Sequence, residues 1–157
     1  MTFDEWKNTV CPEITSDALW NMQLYQQAMF LGEISWFDAT KLVQDQRTVR
    51  LSDQLYRATG KISTNIAEGY SKASGKDQAR FYEYALGSSR EARDWYYKSR
   101  HILGEEVALH RIRLTVHLIR QLLTIIPKQR QKNLREEIAS YQVYTWDDLL
   151  ITVPIPD

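Results

Sequence analysis

The chain has 157 residues, of which 20 are basic and 20 are acidic, so its formal net charge is zero. This length predicts a single domain that can bury its own core without a disulfide or metal staple. A neutral chain argues against a simple nucleic-acid-binding protein, which is usually basic. The single cysteine, Cys11, excludes an internal disulfide bond and fits a reducing compartment.

The sequence predicts no membrane partner. The first ten residues, MTFDEWKNTV, lack the basic and apolar regions of a signal peptide. No stretch approaches the run of about 18 apolar residues that a membrane span needs. We therefore expect a cytoplasmic protein.

The charges are unevenly distributed along the chain. Residues 1–60 carry 5 basic and 8 acidic side chains (net −3), residues 61–132 carry 14 and 7 (net +7), and residues 133–157 carry 1 and 5 (net −4). A basic middle between acidic ends indicates either directional self-assembly or one basic face.

Four long helices are predicted, because residues 13–126 contain no proline and their apolar and small residues recur in alternating steps of three and four. This spacing keeps a seam of side chains on one helix face. The seam of the first helix (about 16–45) is the least regular and has Trp20 and Trp36 beside it. It comprises Leu24, Ala28, Leu31, Ser35 and Leu42.

The other three seams are more regular. That of the second helix (about 47–70) comprises Leu51, Leu55, Ala58, Ile62, Asn65 and Gly69. That of the third (about 75–103) comprises Phe81, Ala85, Ser88, Ala92, Trp95, Ser99 and Ile102. That of the fourth (about 105–126) comprises Leu109, Ile112, Val116, Ile119, Leu123 and Ile126. We predict an all-α, antiparallel up-down-up-down four-helix bundle over residues 16–132, preceded by an N-terminal lead (1–15).

The predicted joints have helix-capping residues. Ser74 is the expected N-cap of the third helix, with Asp77 three residues later. Gly104 is the expected stop between the third and fourth helices. Thr48 is a candidate cap at the first joint, whose boundary is the least well defined.

The pattern changes after Pro127. Residues 127–142 are either a fifth, amphipathic helix or a kinked continuation of the fourth. The C-terminal extension (133–157) ends in the acidic and apolar run VYTWDDLLITVPIPD, which looks extended. Such a tail is either disordered or docked, and its apolar side chains favour docking on a protein or an adjacent subunit. These side chains are Tyr144, Trp146, Leu149, Leu150 and Ile151.

Small and polar residues occupy the second and third seams where large apolar ones are usual. The small ones allow close helix approach, with Gly87 beside the third seam. Asn65 lies on its seam, and Glu68 and Glu91 lie one position away. The simpler interpretation is a buried polar network that fixes helix register. The alternative is a binding site, or a catalytic site with Glu68 or Glu91 in acid–base work.

The same segment resembles the bacterial four-helix-bundle family first known from intervening sequences in large-subunit ribosomal RNA genes. The matching residues are Gln54-Leu55, Asn65-Ile66-Ala67-Glu68-Gly69, Arg80-Phe81, Ala85, Gly87, Ser88 and Glu91. The resemblance covers about 40 residues strongly. It implies a ring-shaped homopentamer. It also implies a non-enzymatic protein, since most family members have no known enzymatic activity. It also extends to accessory proteins of diversity-generating retroelements, which bind a reverse transcriptase and its RNA.

This chain departs from those accessory proteins in being neutral rather than basic, and in its longer N-terminal lead and its acidic C-terminal extension. Basic residues are nonetheless concentrated where nucleic acid could bind. From 107 to 132 there is no acidic residue, and His110, Arg113, His117 and Arg120 share one helix flank. Candidate nucleic-acid contacts here are Arg111, Arg113, His117, Arg120, Lys128, Arg130 and Lys132. A second cluster comprises Lys72, Lys76 and Arg80.

The basic stripe has a structural alternative, in which its arginines pair with Asp38 and Asp45 of a neighbouring subunit. The tyrosines of the third helix either stack on bases or pack against other helices. These are Tyr82, Tyr84, Tyr96 and Tyr97. We predict no metal site and no cofactor, since the histidines are too far apart to chelate one ion and no nucleotide-binding motif is present.

These observations favour a non-enzymatic, oligomeric adaptor that binds RNA or DNA, a nucleic-acid enzyme such as a reverse transcriptase, or both. The alternative is a purely protein-binding scaffold whose basic stripe is a subunit interface.

Overall fold

The computed structural model describes residues 1–130 together with Leu149, Pro154 and Pro156. Two short helices, α1 (Phe3–Lys7) and α2 (Pro12–Thr15), and a 3₁₀ helix (Ala18–Asn21) lead into four long helices. The long helices are α3 (Gln23–Leu42), α4 (Val49–Tyr70), α5 (Gly75–Leu103) and α6 (Glu105–Arg130). The prediction of an all-α fold with four long helices packed against one another is confirmed.

The N-terminal lead is folded onto the bundle. Thr2 and Glu5 form a reciprocal capping box at the start of α1. The Phe3 and Trp6 rings are buried, and each lies 5.3 Å from the Phe30 ring of α3, measured between centroids. The aromatic lead therefore covers part of the core.

The first predicted helix is shorter than expected. Its first turns form the 3₁₀ helix, whose Leu19 amide donates to the Asp17 carboxylate, and α3 begins only after Met22. The seam of α3 was nevertheless predicted correctly, because Leu24, Leu31 and Leu42 are buried, as are Ala28 and Ser35.

Hydrogen bonds between side chains fix the register of neighbouring helices. Gln121 of α6 donates to Gln27 of α3, and Arg111 of α6 pairs with Asp38 of α3. Residue numbers rise along α3 while they fall along α6, so these two helices run in opposite directions. The Ser35 and Thr59 hydroxyls, 2.9 Å apart, link α3 to α4 inside the core.

The joints largely follow the predicted capping. The Asp77 amide donates to the Ser74 hydroxyl at 3.1 Å, and Gly104 ends α5 with a φ of +89°, which favours glycine. Thr48 precedes α4, but its hydroxyl donates back to the Leu42 carbonyl at 2.6 Å instead of capping the helix.

The predicted seam of α6 was only partly correct, because Ile119 and Ile126 are buried but the other four residues are not. Leu109 is 45% exposed, and Ile112, Val116 and Leu123 are half-buried. The face that packs inward instead contains Ala108, Arg111, Leu114, Thr115, Leu118 and Leu122. Arginine was not counted as a core residue in the sequence pattern, so the apolar residues on the neighbouring face were preferred.

Helix α6 continues through Pro127 to Arg130, so the continuation interpretation is correct as far as that residue. A proline within a helix removes one backbone hydrogen bond. The predictions for the residues beyond 130, Lys132 included, lie outside the described residues except at Leu149, Pro154 and Pro156.

Candidate functional site

A buried polar cluster joins three of the long helices. Arg111 of α6 is 0% exposed, and its Nε and Nη2 donate to the two carboxylate oxygens of Asp38 at 2.8 and 3.0 Å. The Tyr96 hydroxyl of α5 donates to the same carboxylate at 3.0 Å. A buried carboxylate is tolerated when hydrogen bonds and an opposite charge compensate its lost hydration, and here both are present.

His110 extends this cluster toward the C-terminal segment. Arg111 Nη1 donates to His110 Nδ1 at 2.9 Å, and a guanidinium can only donate, so the ring proton lies on Nε2. His110 Nε2 in turn donates to the Leu149 carbonyl at 2.8 Å. Burial is the main cause that lowers the pKa of His110 to about 4, so the ring is neutral at physiological pH.

The cluster corrects one predicted nucleic-acid contact. Arg111 lies in the core, where it donates hydrogen bonds to Asp38, His110 and the Pro154 carbonyl. Its guanidinium is therefore not accessible to a phosphate in solution. The structural alternative anticipated an arginine partner for Asp38, but in a neighbouring subunit rather than in the same chain. Asp45 likewise pairs within the chain, with Arg47. The role of Tyr96 was not predicted, because nothing in the sequence distinguishes it from the other tyrosines that lie off the seam of α5.

Five of the other predicted basic residues lie at the opposite end of the bundle. The turn between α4 and α5 meets the end of α6, where a Cβ atom added to Gly75 would lie 2.7 Å from the Gln129 carbonyl oxygen. Arg130 forms a two-point ion pair with Glu83 of α5, with both N–O distances at 2.8 Å. This brings together two groups that are separate in sequence. We name the basic end of the bundle by its residues Lys72, Lys76, Arg80, Lys128 and Arg130.

Exposed aromatic rings accompany these cations. The Lys72 ammonium lies 4.7 Å from the centroid of the half-buried Phe81 ring. Arg80 Nε donates to the Tyr84 hydroxyl at 2.8 Å, and Tyr84 is 46% exposed. Cations beside aromatic rings are typical of nucleic-acid-binding sites, because the cations bind phosphates and bases stack on the rings. Lys76 and Lys128 are exposed, whereas Arg130 is already engaged by Glu83.

The stripe along α6 is less accessible than predicted. Arg113, His117 and Arg120 are half-buried. Burial, and then the charge of Arg120, lower the pKa of His117, which favours its neutral form. A neutral imidazole can donate a hydrogen bond to a phosphate but adds no charge.

The residues of the motif around Gly69 divide into packing and surface positions. A Cβ atom at Gly69 would lie 2.7 Å from Tyr82 Cε1, so glycine lets α4 and α5 approach closely. Ser88 is buried and donates to the Tyr84 carbonyl at 3.0 Å, whereas Gly87 is exposed.

The buried network predicted from the polar motif residues was misplaced. Asn65 is half-buried, and Glu68 and Glu91 are exposed. The Glu91 carboxylate accepts a long hydrogen bond of 3.4 Å from Trp95 Nε1 on the same helix. The buried polar groups that link helices include Asp38, Arg111 and Tyr96, because those side chains satisfy one another out of water.

The tyrosines of α5 likewise divide between core and surface. Tyr82 and Tyr96 are buried, as the packing alternative expected. Tyr84 and Tyr97 are exposed, and the guanidinium groups of Arg80 and Arg100 lie 5.8 and 4.1 Å from their respective ring centroids.

A groove with both polar and apolar walls lies between α3 and α4 on the surface. Its volume is about 470 Å³, and its walls include Trp36 and Tyr56, whose rings meet edge to face at 5.9 Å. Trp36 is 59% exposed. Exposed aromatic side chains of this kind are enriched at protein–protein interfaces.

Among residues 1–130, 149, 154 and 156, no group of three histidine, cysteine or acidic side chains is arranged to hold a metal ion. Within the same residues, no helix has the length and apolar character needed to cross a membrane.

A family comparison extends the sequence resemblance to most of the bundle. The family model for the 23S rRNA-intervening sequence protein matches residues 20–124, which is more than half of the chain. The chain belongs to this family. Comparisons with curated proteins and with solved structures give no match.

As a 23S rRNA-intervening sequence protein, the chain has its family-defining part in α3 to α6. The match includes Asp38, Tyr96 and Arg111, and it includes Lys72, Lys76 and Arg80 of the basic end. The N-terminal lead, Lys128 and the docked residues Leu149 and Pro154 lie outside it.

Proposed function

We propose that this 23S rRNA-intervening sequence protein is a non-enzymatic, oligomeric adaptor in the cytoplasm that binds nucleic acid through the basic end of its bundle. The observation that carries the proposal is that the turn bearing Lys72, Lys76 and Arg80 meets the end of α6 that bears Lys128. At this end Arg80 also contacts the exposed Tyr84 ring. The family description, which refers to ribosomal RNA, supports a role connected with nucleic acid.

The chemistry of the basic end favours phosphate over an acidic protein surface. Its cations lie at a helix joint rather than along a flat face, and Glu83, the acidic side chain that faces Arg130, is already neutralised by that arginine. A homopentameric ring, the assembly expected from the sequence resemblance, would repeat the basic end five times. Repetition raises the avidity for a long polyanion without requiring strong binding at any one copy.

The enzyme partner we propose is a reverse transcriptase, on the basis of the sequence resemblance to retroelement accessory proteins. The groove between α3 and α4 supports a contact with protein, since Trp36 and Tyr56 are exposed there. The groove supports the alternative function equally. In that alternative the protein is a scaffold that binds no nucleic acid, and this groove and the α6 stripe are subunit interfaces.

Binding of a structured RNA over a series of salt concentrations tests the proposal. We expect the affinity of the wild-type protein to fall steeply with salt, because phosphate contacts release counterions. The triple variant Lys76→Ala, Arg80→Ala and Lys128→Ala should bind less tightly. The slope of log K against log salt is negative, and each lost phosphate contact should reduce its magnitude by about 0.7–0.9.

The matched control is Arg50→Ala, which removes an exposed cation from the other end of α4. It should leave both affinity and slope unchanged. Binding that is insensitive to salt, or an equal loss in the control and the triple variant, would exclude the basic end as the interface. The absence of RNA binding at low salt would favour the scaffold.

A further inference from the structure

Two described residues of the C-terminal segment dock on α6 of their own chain. The Leu149 carbonyl accepts from His110 Nε2 at 2.8 Å, and the Pro154 carbonyl accepts from Arg111 Nη2 at 2.7 Å. The Leu149 side chain is 4% exposed and belongs to the hydrophobic core cluster. The contacts therefore involve two backbone acceptors and one apolar side chain.

The two donors are oriented by groups other than the segment they hold. Asp38 fixes the Arg111 guanidinium through Nε and Nη2, and Arg111 Nη1 fixes the proton of His110 on Nε2. Each side chain thus has one N–H directed at the segment, held there by partners that the segment does not supply. Preorganised donors lower the ordering cost of binding, which is a property of binding sites.

The two donors and the segment that they bind also differ in whether the family model matches them. His110 and Arg111 lie within the matched residues 20–124, whereas Leu149 and Pro154 lie beyond them. The docked segment is therefore an addition to the family bundle rather than a part of it.

We propose that His110 and Arg111 form a peptide-binding site that recognises two backbone carbonyls and a leucine side chain, and that its ligand is the C-terminal segment of the same chain. The site uses main-chain acceptors that any sequence offers, so Leu149 supplies the selectivity. Binding by hydrogen bonds and apolar burial is largely independent of ionic strength, unlike phosphate binding at the basic end. This inference does not rest on the proposed nucleic-acid function.

Limited proteolysis of the full-length protein, with the cleavage sites beyond residue 130 identified by mass spectrometry, tests the site. We expect the docked segment to resist cleavage at both low and high salt. His110→Ala removes a donor and Leu149→Asp removes the apolar anchor. Each should speed cleavage of the segment by about five- to tenfold, the range expected for losing roughly one net contact.

The control variant is His101→Ala, which removes an exposed histidine of α5 and should be cleaved like the wild type. Because Leu149→Asp leaves α6 intact, it keeps the test valid even if His110→Ala disturbs the bundle. Rapid cleavage of the C-terminal segment in the wild type, or an unchanged cleavage rate in Leu149→Asp, would overturn the proposal.

Mixing the two variants distinguishes occupancy within one chain from exchange between chains. The His110→Ala chain has an intact C-terminal segment, and the Leu149→Asp chain has an intact site. Docking within a chain predicts that the mixture stays unprotected. Restored protection would show that the segment binds a neighbouring copy, which contradicts the proposed occupant.

Discussion

Gly69 and Gly87, two glycines of the same sequence motif, have opposite surroundings. A Cβ atom at Gly69 would lie 2.7 Å from Tyr82 Cε1 and 3.1 Å from the Gln78 carbonyl, whereas at Gly87 no heavy atom lies within 4 Å. Gly69→Ala should therefore destabilise the bundle by about 1–3 kcal/mol through overpacking. Gly87→Ala should stabilise it by about 0.5–1 kcal/mol, because alanine is the better helix former.

Urea denaturation of the two glycine variants measures this contrast directly. The two substitutions are chemically identical, so each is the control for the other. Equal changes in the free energy of unfolding would show that the close approach of α4 and α5 at Gly69 carries no packing constraint.

The buried His110 makes stability depend on pH. Its pKa is lowered from 6.5 to about 4 in the folded protein, so between these values the unfolded chain binds a proton that the folded chain does not. Stability should be fully present above pH 6.5 and should fall as pH drops toward 4, by up to roughly 3 kcal/mol at 1.36 kcal/mol per pKa unit. His117, whose pKa is lowered in the same direction, should add to this loss.

The pH dependence of the unfolding midpoint in urea, compared between wild type and His110→Gln, isolates the contribution of His110. Glutamine keeps a side-chain donor but does not titrate in this range, so the variant should lose less stability between pH 6.5 and 4. Parallel curves for the two proteins would assign the acid sensitivity to other groups.

Arg111 shows why a single residue could not be placed from sequence. Charged side chains are almost never fully buried unless they are paired. The partner Asp38 is 73 positions away, on a helix that only the tertiary fold brings close. The absence of acidic residues from 107 to 132 therefore indicated an exposed phosphate contact at Arg111, and its paired position in the core became visible only with the structure.

At the scale of helices, the Asp38–Arg111 pair ties α3 to α6, and Tyr96 ties α5 to the same carboxylate. Asp38→Asn leaves a buried guanidinium without its counter-charge and should cost about 3–5 kcal/mol. The double variant Asp38→Asn with Arg111→Met removes both charges and should recover much of that loss, since no unpaired ion remains. Denaturant unfolding of the four proteins in the cycle gives the coupling energy.

The control for this cycle is the exposed pair Arg57–Asp53 on α4, where side-chain ion pairing is open to solvent. Asp53→Asn should change stability by less than about 1 kcal/mol. A comparably small loss for Asp38→Asn would mean that the buried pair is not needed to join α3 and α6.

The caps and buried faces of the helices could be predicted only where local sequence patterns determine them. The seam of α3 and the caps at Ser74 and Gly104 could be predicted, because local spacing and backbone geometry determine them. The rotation of α6 could not, because its buried face includes Arg111 and Thr115 while apolar residues such as Leu109 lie outside. A helix with two apolar stripes does not reveal which stripe faces the core.

At the scale of the whole molecule, the basic end exists because the chain topology assembles it. Lys76 lies in the first turn of α5 and Lys128 in the last turn of α6, and these two turns come together where Gly75 approaches Gln129. Sequence analysis found both cation clusters, but the long stripe on α6 seemed the stronger candidate. The tertiary fold favours the bundle end, where Lys76 and Lys128 are exposed and Arg80 lies beside the exposed Tyr84 ring.

Light scattering of the protein with and without a structured RNA, at low and at high salt, tests the central claim most directly. Our account predicts a particle of several subunits, close to five, that gains the mass of RNA at low salt and loses it at high salt. The Lys76→Ala, Arg80→Ala and Lys128→Ala triple variant should form the same particle without gaining RNA. A wild-type particle whose mass is unaffected by RNA at low salt would contradict the account.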